Sequence, residues 1–332
     1  MSLSKLAKET SSADHSELQL DEQGRLRHLL SLRGMDRDLI VALLDRAESF
    51  LTQPGQRPVR GKALDGRTVA NLFLENSTRT RTSFELAAKR LGADVLNLDL
   101  NTSSAAKGES ILDTIYTLQA MQVDMFVVRD RQVGTQAIIA RNVGAHVNVL
   151  NAGEANVSHP TQGLLDLLTI RLHKGNFTNL TVAIVGDVAH SRVAMSAAAG
   201  LIAMGVGKLR LVAPPELAPD AVPGADIVTN FDAGIADADV VMVLRIQKER
   251  FMDKAGIPDD AEYFRAWGVS RERMKLAADD AIVMHPGPMN RGVEIEGKLA
   301  DGPASVITEQ VRNGVAVRMA VLEMLANNGA TG

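Results

Sequence analysis

The run Thr68-Val69-Ala70-Asn71-Leu72-Phe73-Leu74 ends just before Ser77-Thr78-Arg79-Thr80-Arg81, which leads into the amphipathic stretch Arg79–Leu91, closed by Gly92. A short apolar run suits a strand buried on both faces of a parallel sheet, and a 3.6-residue stripe with a glycine stop suits a helix behind it. The alternation continues outward from here. Further strands are predicted at Asp94–Leu98, Met125–Arg129, Val147–Leu150, Leu180–Gly186, Leu209–Ala213, Asp226–Thr229, Val240–Leu244 and Ala281–Met284. Helical patterns fall at Glu109–Met121, Thr135–Val143, Thr161–His173, Ser191–Met204 and Arg271–Ala278. Such alternation implies right-handed βαβ units and an α/β fold class.

Upstream, Asp36–Leu51 places Leu39, Ile40, Leu43, Leu44, Ala47 and Phe50 on one helical stripe, with Asp36 as N-cap. Residues 1–24 are polar and lack the apolar surface to offset the entropy of ordering, so they read as a solvated extension. With 332 residues, two domains are expected. The first spans 25–160 and the second 161–304, with helix Thr161–His173 as the bridge; a last helix, 305–326, returns to cover the first domain.

Hydrophobic residues make up 45% and charged residues 23%, which excludes wholesale disorder and coiled-coil composition. The net charge of −4 carries no general nucleic-acid footprint, so any anion site is local. The absence of cysteine excludes disulfides, thiolate metal sites and thiol nucleophiles. No apolar run reaches the roughly 18 residues of a membrane helix, and residues 1–18 lack a signal-peptide core; a cytoplasmic location without membrane attachment is expected.

Ser77, Thr78, Arg79, Thr80 and Arg81 fall where a strand ends and a helix begins, the crevice in which open α/β sheets bind ligands. An N-cap accounts for one hydroxyl. Three hydroxyls and two arginines in five residues exceed a cap, and cations at a helix N-terminus are unfavourable unless an anion offsets them. A phosphate site follows, with Arg79 as a bidentate fork. Arg129, at the end of its strand, projects into the same crevice. The small-residue loop 101–109, containing Ser103, Lys107 and Gly108, can close over a ligand and deliver an ammonium.

His159-Pro160-Thr161-Gln162 opens a helix with proline in its first turn, and His159 and Gln162 can converge on one ligand, as donor to a carbonyl and acceptor from an amide. Val185-Gly186-Asp187 with Ser191-Arg192 lacks the Gly-x-Gly-x-x-Gly signature, so a dinucleotide turn is rejected and Arg192 reads as a carboxylate receptor. Arg245 and Gln247 share one side of an extended segment and, with Arg192, suit a dicarboxylate. His285-Pro286-Gly287-Pro288 follows a strand and brings backbone carbonyls close to the crevice. The seven histidines show no His-Glu-x-x-His spacing, and no metal or organic cofactor is expected.

These motifs, in this order from about Leu29 to Leu325, resemble the aspartate carbamoyltransferase catalytic chains, in their long-chain bacterial form. The resemblance implies a carbamoyl-phosphate domain and an aspartate domain, each doubly wound around a parallel sheet and joined by interdomain helices. It implies a homotrimer with active sites shared between subunits and a place early in pyrimidine biosynthesis. Ser77, Thr78, Arg79, Thr80 and Arg129 would hold phosphate, while Thr80, Arg129 and His159 polarise the carbonyl. Gln162 and the Pro286-Gly287 backbone would hold the amino group. Ser103 and Lys107 would enter from the neighbouring chain, with Lys107 also reaching aspartate, and Arg192, Arg245 and Gln247 would grip its carboxylates. Long-chain relatives associate with a dihydroorotase-like chain, which makes such a partner and a higher assembly an expectation here.

Two rival readings remain. The ornithine branch shares the phosphate half but typically carries His-Cys-Leu-Pro and an acidic amino-acid pocket, where this chain has His285-Pro286-Gly287-Pro288 and arginines. A catalytically silent subunit would be expected to lose charged site residues first, and all of the expected ones are present.

Overall fold

The structure is a computed structural model and describes residues 16–98, 110–246 and 259–329. The chain divides into two compact units, Met1–Leu165 with Arg312–Gly332, and Asp166–Val311.

The first unit is a four-stranded parallel sheet in the order β2-β1-β3-β4. Its strands are β1 (Thr68–Phe73), β2 (Asp94–Leu98), β3 (Met125–Asp130) and β4 (Asn148–Glu154). Its helices are α1 (Ser16–Gln19), α2 (Arg37–Glu48), α3 (Thr78–Arg90), α4 (Ile111–Ala120), α5 (Thr135–Asn142) and the first turns of α6 (Pro160–Lys174). One core layer joins Ala70, Leu72, Phe126, Val128 and Val149 from the sheet to Ile115 and Leu118 of α4 and Ile139 of α5. Asp36 caps α2 as expected, accepting from the Asp38 N–H at 2.7 Å.

The second unit is a five-stranded parallel sheet in the order β7-β6-β5-β8-β9. Its strands are β5 (Thr181–Val185), β6 (Lys208–Val212), β7 (Asp226–Val228), β8 (Val240–Val243) and β9 (Ile282–Met284). Helices α7 (Arg192–Ala203), α8 (Phe231–Ile235), α9 (Asp260–Trp267) and α10 (Gly297–Ala300) belong to it, and α11 (Ile307–Gly329) begins in it. From Arg312 onward α11 is part of the first unit. There Arg318 lies over the Phe84 ring at 5.0 Å and Arg67 donates to the Ala326 carbonyl at 3.1 Å.

Buried parallel strands need cover on both faces, and an uncovered edge leaves backbone groups unpaired. The β4 and β9 edges are covered by chain from elsewhere. Leu29 pairs beside β4, donating to the Val149 carbonyl at 2.9 Å and accepting from the Asn151 N–H at 2.8 Å. Beside β9, Val283 donates to the Ala304 carbonyl at 2.8 Å and accepts from the Val306 N–H at 3.0 Å. Both strands are consequently buried along their length, whereas the edge strands β2 and β7 stay half-exposed.

Two sequence expectations change. Residues 16–24 are not a solvated tail: α1 leads into a turn closed by the Leu20–Leu26 bridge, and buried Gln19 accepts from the Leu30 and Ser31 N–H groups, each at 2.8 Å. The helix expected over Arg271–Ala278 is a single 3-10 turn, Arg273–Leu276. Its ends pair elsewhere, Asp237 N–H with Leu276 O at 2.9 Å and Ala278 N–H with Ala238 O at 3.1 Å. Arg273 caps the carbonyls of Arg265, Ala266 and Gly268 instead, and this stops α9, a helix the sequence pattern did not reveal. Among the described residues no helix is long and apolar enough to cross a membrane.

His28 is fully buried beside β4, its Nδ1 accepting from the Val149 N–H at 2.9 Å. Burial, with the Arg27 charge adjacent, pushes the imidazole down from 6.5 to about 3. Below pH 6.5 the unfolded chain binds a proton that the folded chain refuses. Stability is therefore expected to fall as pH drops from 6.5 toward 3, by at most about 1.4 kcal/mol per pH unit from this group. His28→Asn, which keeps an acceptor for Val149, should flatten that limb in urea denaturation midpoints measured against pH.

Candidate active site

Parallel strands all end on the same edge, and ligands bind there where the strand order reverses. In the first unit the reversal lies between β1 and β3, whose ends pair through Phe73 and Arg129. Ser77-Thr78-Arg79-Thr80 follows β1 there, and Arg129 is the last residue but one of β3. Ser77 occupies the N-cap of α3, yet its side chain makes no cap bond and the first turn carries no acidic residue. The helix N-terminus thus keeps its affinity for an anion. Thr80 is buried and Arg79 exposed.

Arg129 is held from behind. Its Nε lies 2.7 Å from Glu75 Oε1, both side chains nearly buried, and its Nη1 donates to the Ala152 carbonyl at 3.1 Å. Arg131 reaches the other Glu75 oxygen at 3.5 Å. Glu75 went unnoticed in the sequence, where an acid between a strand and an anion loop looks misplaced; its work is to fix a guanidinium.

His159 and Gln162 follow β4, both buried at the start of α6, where the His159 carbonyl accepts from the Gln162 N–H at 2.9 Å. The connecting turn is tight. Ala155 has φ 41°, and the Glu154 N–H donates to the Ser158 carbonyl at 2.8 Å. A left-handed non-glycine residue stores strain of the kind found at functional sites. Buried Glu154 accepts from the Gly134 N–H at 2.7 Å and from Asn151 Nδ2 at 3.2 Å; burial pushes its carboxyl above the usual range, which these bonds oppose. The segments bearing Ser77, Thr78, Arg79, Thr80, Arg129, His159 and Gln162 therefore meet one sheet edge. Ser103 and Lys107 lie outside the described residues.

In the second unit the order reverses between β5 and β8. Gly186, just past β5, has φ 125°, and a Cβ there would stand 3.0 Å from the Leu244 carbonyl oxygen. This explains the glycine that the motif shares with dinucleotide turns. Buried Arg192 opens α7 behind the Ser191 cap, and half-buried Arg245 follows β8. Fully buried Asp187 takes His190 Nδ1 at 2.8 Å. His285-Pro286-Gly287 follows β9, with Gly287 at φ 64°. Buried Tyr263, on α9, has its phenol pushed up by burial and by the Asp187 and Glu294 carboxylates. Gln247 lies outside the described residues. No cluster of three or more His, Asp or Glu among the described residues is arranged to hold a metal ion.

Two parallel α/β units whose strand ends carry hydroxyl, arginine and histidine side chains set the architecture, and sequence comparison identifies the class. Residues 27–172 match the description "Aspartate/ornithine carbamoyltransferase, carbamoyl-P binding domain", and residues 178–325 match "Aspartate/ornithine carbamoyltransferase, Asp/Orn binding domain". The aspartate transcarbamoylase of Trypanosoma cruzi, solved in complex with aspartate and phosphate, is 32% identical with a TM-score of 0.76, over 90% of this chain and 94% of that one. The ornithine carbamoyltransferase of Thermus thermophilus is 28% identical with a TM-score of 0.78, over 90% and 98%. That of Pyrococcus furiosus is 27% identical with a TM-score of 0.80, over 91% and 97%.

The chain belongs to the aspartate/ornithine carbamoyltransferase family. It binds carbamoyl phosphate and transfers the carbamoyl group to an amino acid, aspartate or ornithine.

Gly186→Ala is expected to destabilise the chain by about 1–3 kcal/mol, since alanine must take a positive φ against the Leu244 backbone. Differential scanning calorimetry reads this directly.

Proposed function

We propose that the amino acid is L-aspartate and the product N-carbamoyl-L-aspartate, which places the reaction in pyrimidine biosynthesis. The observation that carries this is the charge at the β5/β8 reversal. Arg192 and Arg245 stand there, while the nearby carboxylates are engaged by their own partners, Asp187 by His190 and Glu294 by His285 and Asn290. A cationic pocket takes a dicarboxylate and rejects the ammonium tail of ornithine. Gln247 and Lys107 complete the aspartate contacts in this reading.

Ser77, Thr78, Arg79, Thr80 and Arg129 hold the phosphate. Thr80, Arg129 and His159 polarise the carbonyl, and Gln162 with the Pro286 and Gly287 backbone holds the amino group. The neutral α-amine attacks the carbonyl carbon, forming the C–N bond. Preorganised donors stabilise the oxyanion, the C–O bond to phosphate breaks, and the departing phosphate accepts the amine proton. Arg79 neutralises charge on the leaving oxygen, and because the departing phosphate takes the proton no side-chain base is needed.

The assembly proposed is a homotrimer in which Ser103 and Lys107 serve a neighbouring site. Supporting it, β2 is an open edge with Leu96 exposed, Tyr116 and Met121 are exposed on and after α4, and segment 99–109 connects the two elements.

Assay of the full chain with carbamoyl phosphate should give ureido product and phosphate with L-aspartate and none with L-ornithine; turnover with ornithine alone overturns the specificity. Arg79→Ala should lower kcat by about 10²–10³-fold with the unfolding midpoint unchanged. Mixing inactive Lys107→Ala chains with inactive Arg79→Ala chains should restore partial activity if sites are shared.

A further inference from the structure

The carbonyls assigned to the carbamoyl amino group belong to a turn that is fastened from inside the second unit. The Gly287 N–H donates to His285 Nδ1 at 2.8 Å. A ring nitrogen that accepts carries no proton, so the imidazole proton sits on Nε2, which faces Glu294 Oε1 at 3.3 Å. His285 and Glu294 are each 1% exposed. The same carboxylate accepts from the Asn290 N–H, and its other oxygen accepts from Asn290 Nδ2 at 3.2 Å. One buried acid thus grips the turn at its start, through His285, and at its end, through Asn290.

Both sides of this grip are anchored. The Glu294 carbonyl accepts from the Val269 N–H at 2.9 Å. The His285 N–H donates to Gln310 Oε1 at 2.9 Å, and Gln310 Nε2 donates to Asp166 Oδ1 at 2.9 Å, with Gln310 and Asp166 both buried. The consequence lies in one peptide plane. In a trans peptide the C=O and N–H point in opposite directions. The Pro286 carbonyl and the Gly287 N–H share such a plane, so a bond that draws the N–H onto the imidazole turns the Pro286 oxygen the other way.

We propose that Glu294 is a positioning residue for carbamoyl recognition, aiming the Pro286 carbonyl through His285 and Gly287. The proposal rests on the reading of Pro286 given under Proposed function. A site built to accept from an N–H rejects the analogue that lacks it. Acetyl phosphate is that analogue, with a methyl group where carbamoyl phosphate has an amino group.

The test is steady-state kinetics of the full chain with carbamoyl phosphate and L-aspartate, using acetyl phosphate and inorganic phosphate as competitive inhibitors. Glu294→Ala should raise the KM for carbamoyl phosphate about tenfold, the loss of one such hydrogen bond, and lower kcat, leaving both inhibition constants within about twofold of wild type. Glu294→Gln, whose amide oxygen still accepts from His285, should restore most of the difference. Equal weakening of carbamoyl phosphate and both inhibitors would mean general damage and would overturn the proposal, as would no change in any constant. If Glu294→Ala fails to fold, His285→Asn keeps an acceptor for Gly287 but loses the link to Glu294, and the same selective loss is required of it. Wild-type protein that binds acetyl phosphate as tightly as carbamoyl phosphate would overturn the reading of Pro286 itself, and this proposal with it.

Discussion

Parallel pairing of buried strands is the constraint from which the chemistry follows. Because every strand in each sheet runs the same way, all strand carboxyl ends reach one edge, and each chain segment leaving that edge must turn there before its helix begins. The order β2-β1-β3-β4 opens a gap at β1/β3, and β7-β6-β5-β8-β9 opens one at β5/β8. The described candidates follow strand ends: Ser77–Thr80 after β1, Arg129 on β3, His159 and Gln162 after β4, Arg192 after β5, Arg245 after β8, Pro286 and Gly287 after β9. Residues 26–30 and 304–306 seal β4 and β9, so the strands that feed His159 and Pro286 are held on both sides.

A second pattern concerns the acids. Glu75 pairs with Arg129, Asp187 with His190 and Glu294 with His285, each a buried carboxylate holding a cationic or imidazole side chain close to a strand end. Removing one partner of such a pair strands the other in low dielectric, which is far more destabilising than the pair is stabilising. Their value is geometric. A guanidinium tied down by Glu75 and the Ala152 carbonyl has little rotamer freedom left to lose when an anion arrives.

The strands and most helices were legible because burial on both faces writes continuous apolar runs and glycine stops into the sequence, as at Val182–Val185 and Gly205. The anion loop was legible because Ser77–Arg81 concentrates donors where a cap needs one. Glu75 and Glu294 were not legible: their partners lie 54 and 9 residues away in sequence, and only the folded chain shows that these acids pair within their own units. Residues 16–24 read as solvated because much of what orders them is local bonding, the Gln19 side chain to the Leu30 and Ser31 N–H groups and the Leu20–Leu26 bridge, and composition does not register that. The turn Arg273–Leu276 has a helical pattern, but its backbone bonds with the chain before β8 instead.

The acidic net charge and the anionic substrates are compatible for the same reason. Charges spread over a solvated surface are screened within about 8–10 Å, so the overall −4 exerts little force inside a crevice. What can act there is short-range: the N-terminal dipole of α3, the arginines, and their orientation. The buried acids sharpen this. Set behind Arg129 in the first unit and His285 in the second, they hold the guanidinium and the turn after β9 still, which limits the reorganisation either must undergo. An apolar replacement for Glu75 would remove a negative charge from beside Arg129 and loosen its guanidinium, leaving the Ala152 carbonyl contact. The identity of the backing residue thus matters through the arginine's freedom more than through the local sum of charges.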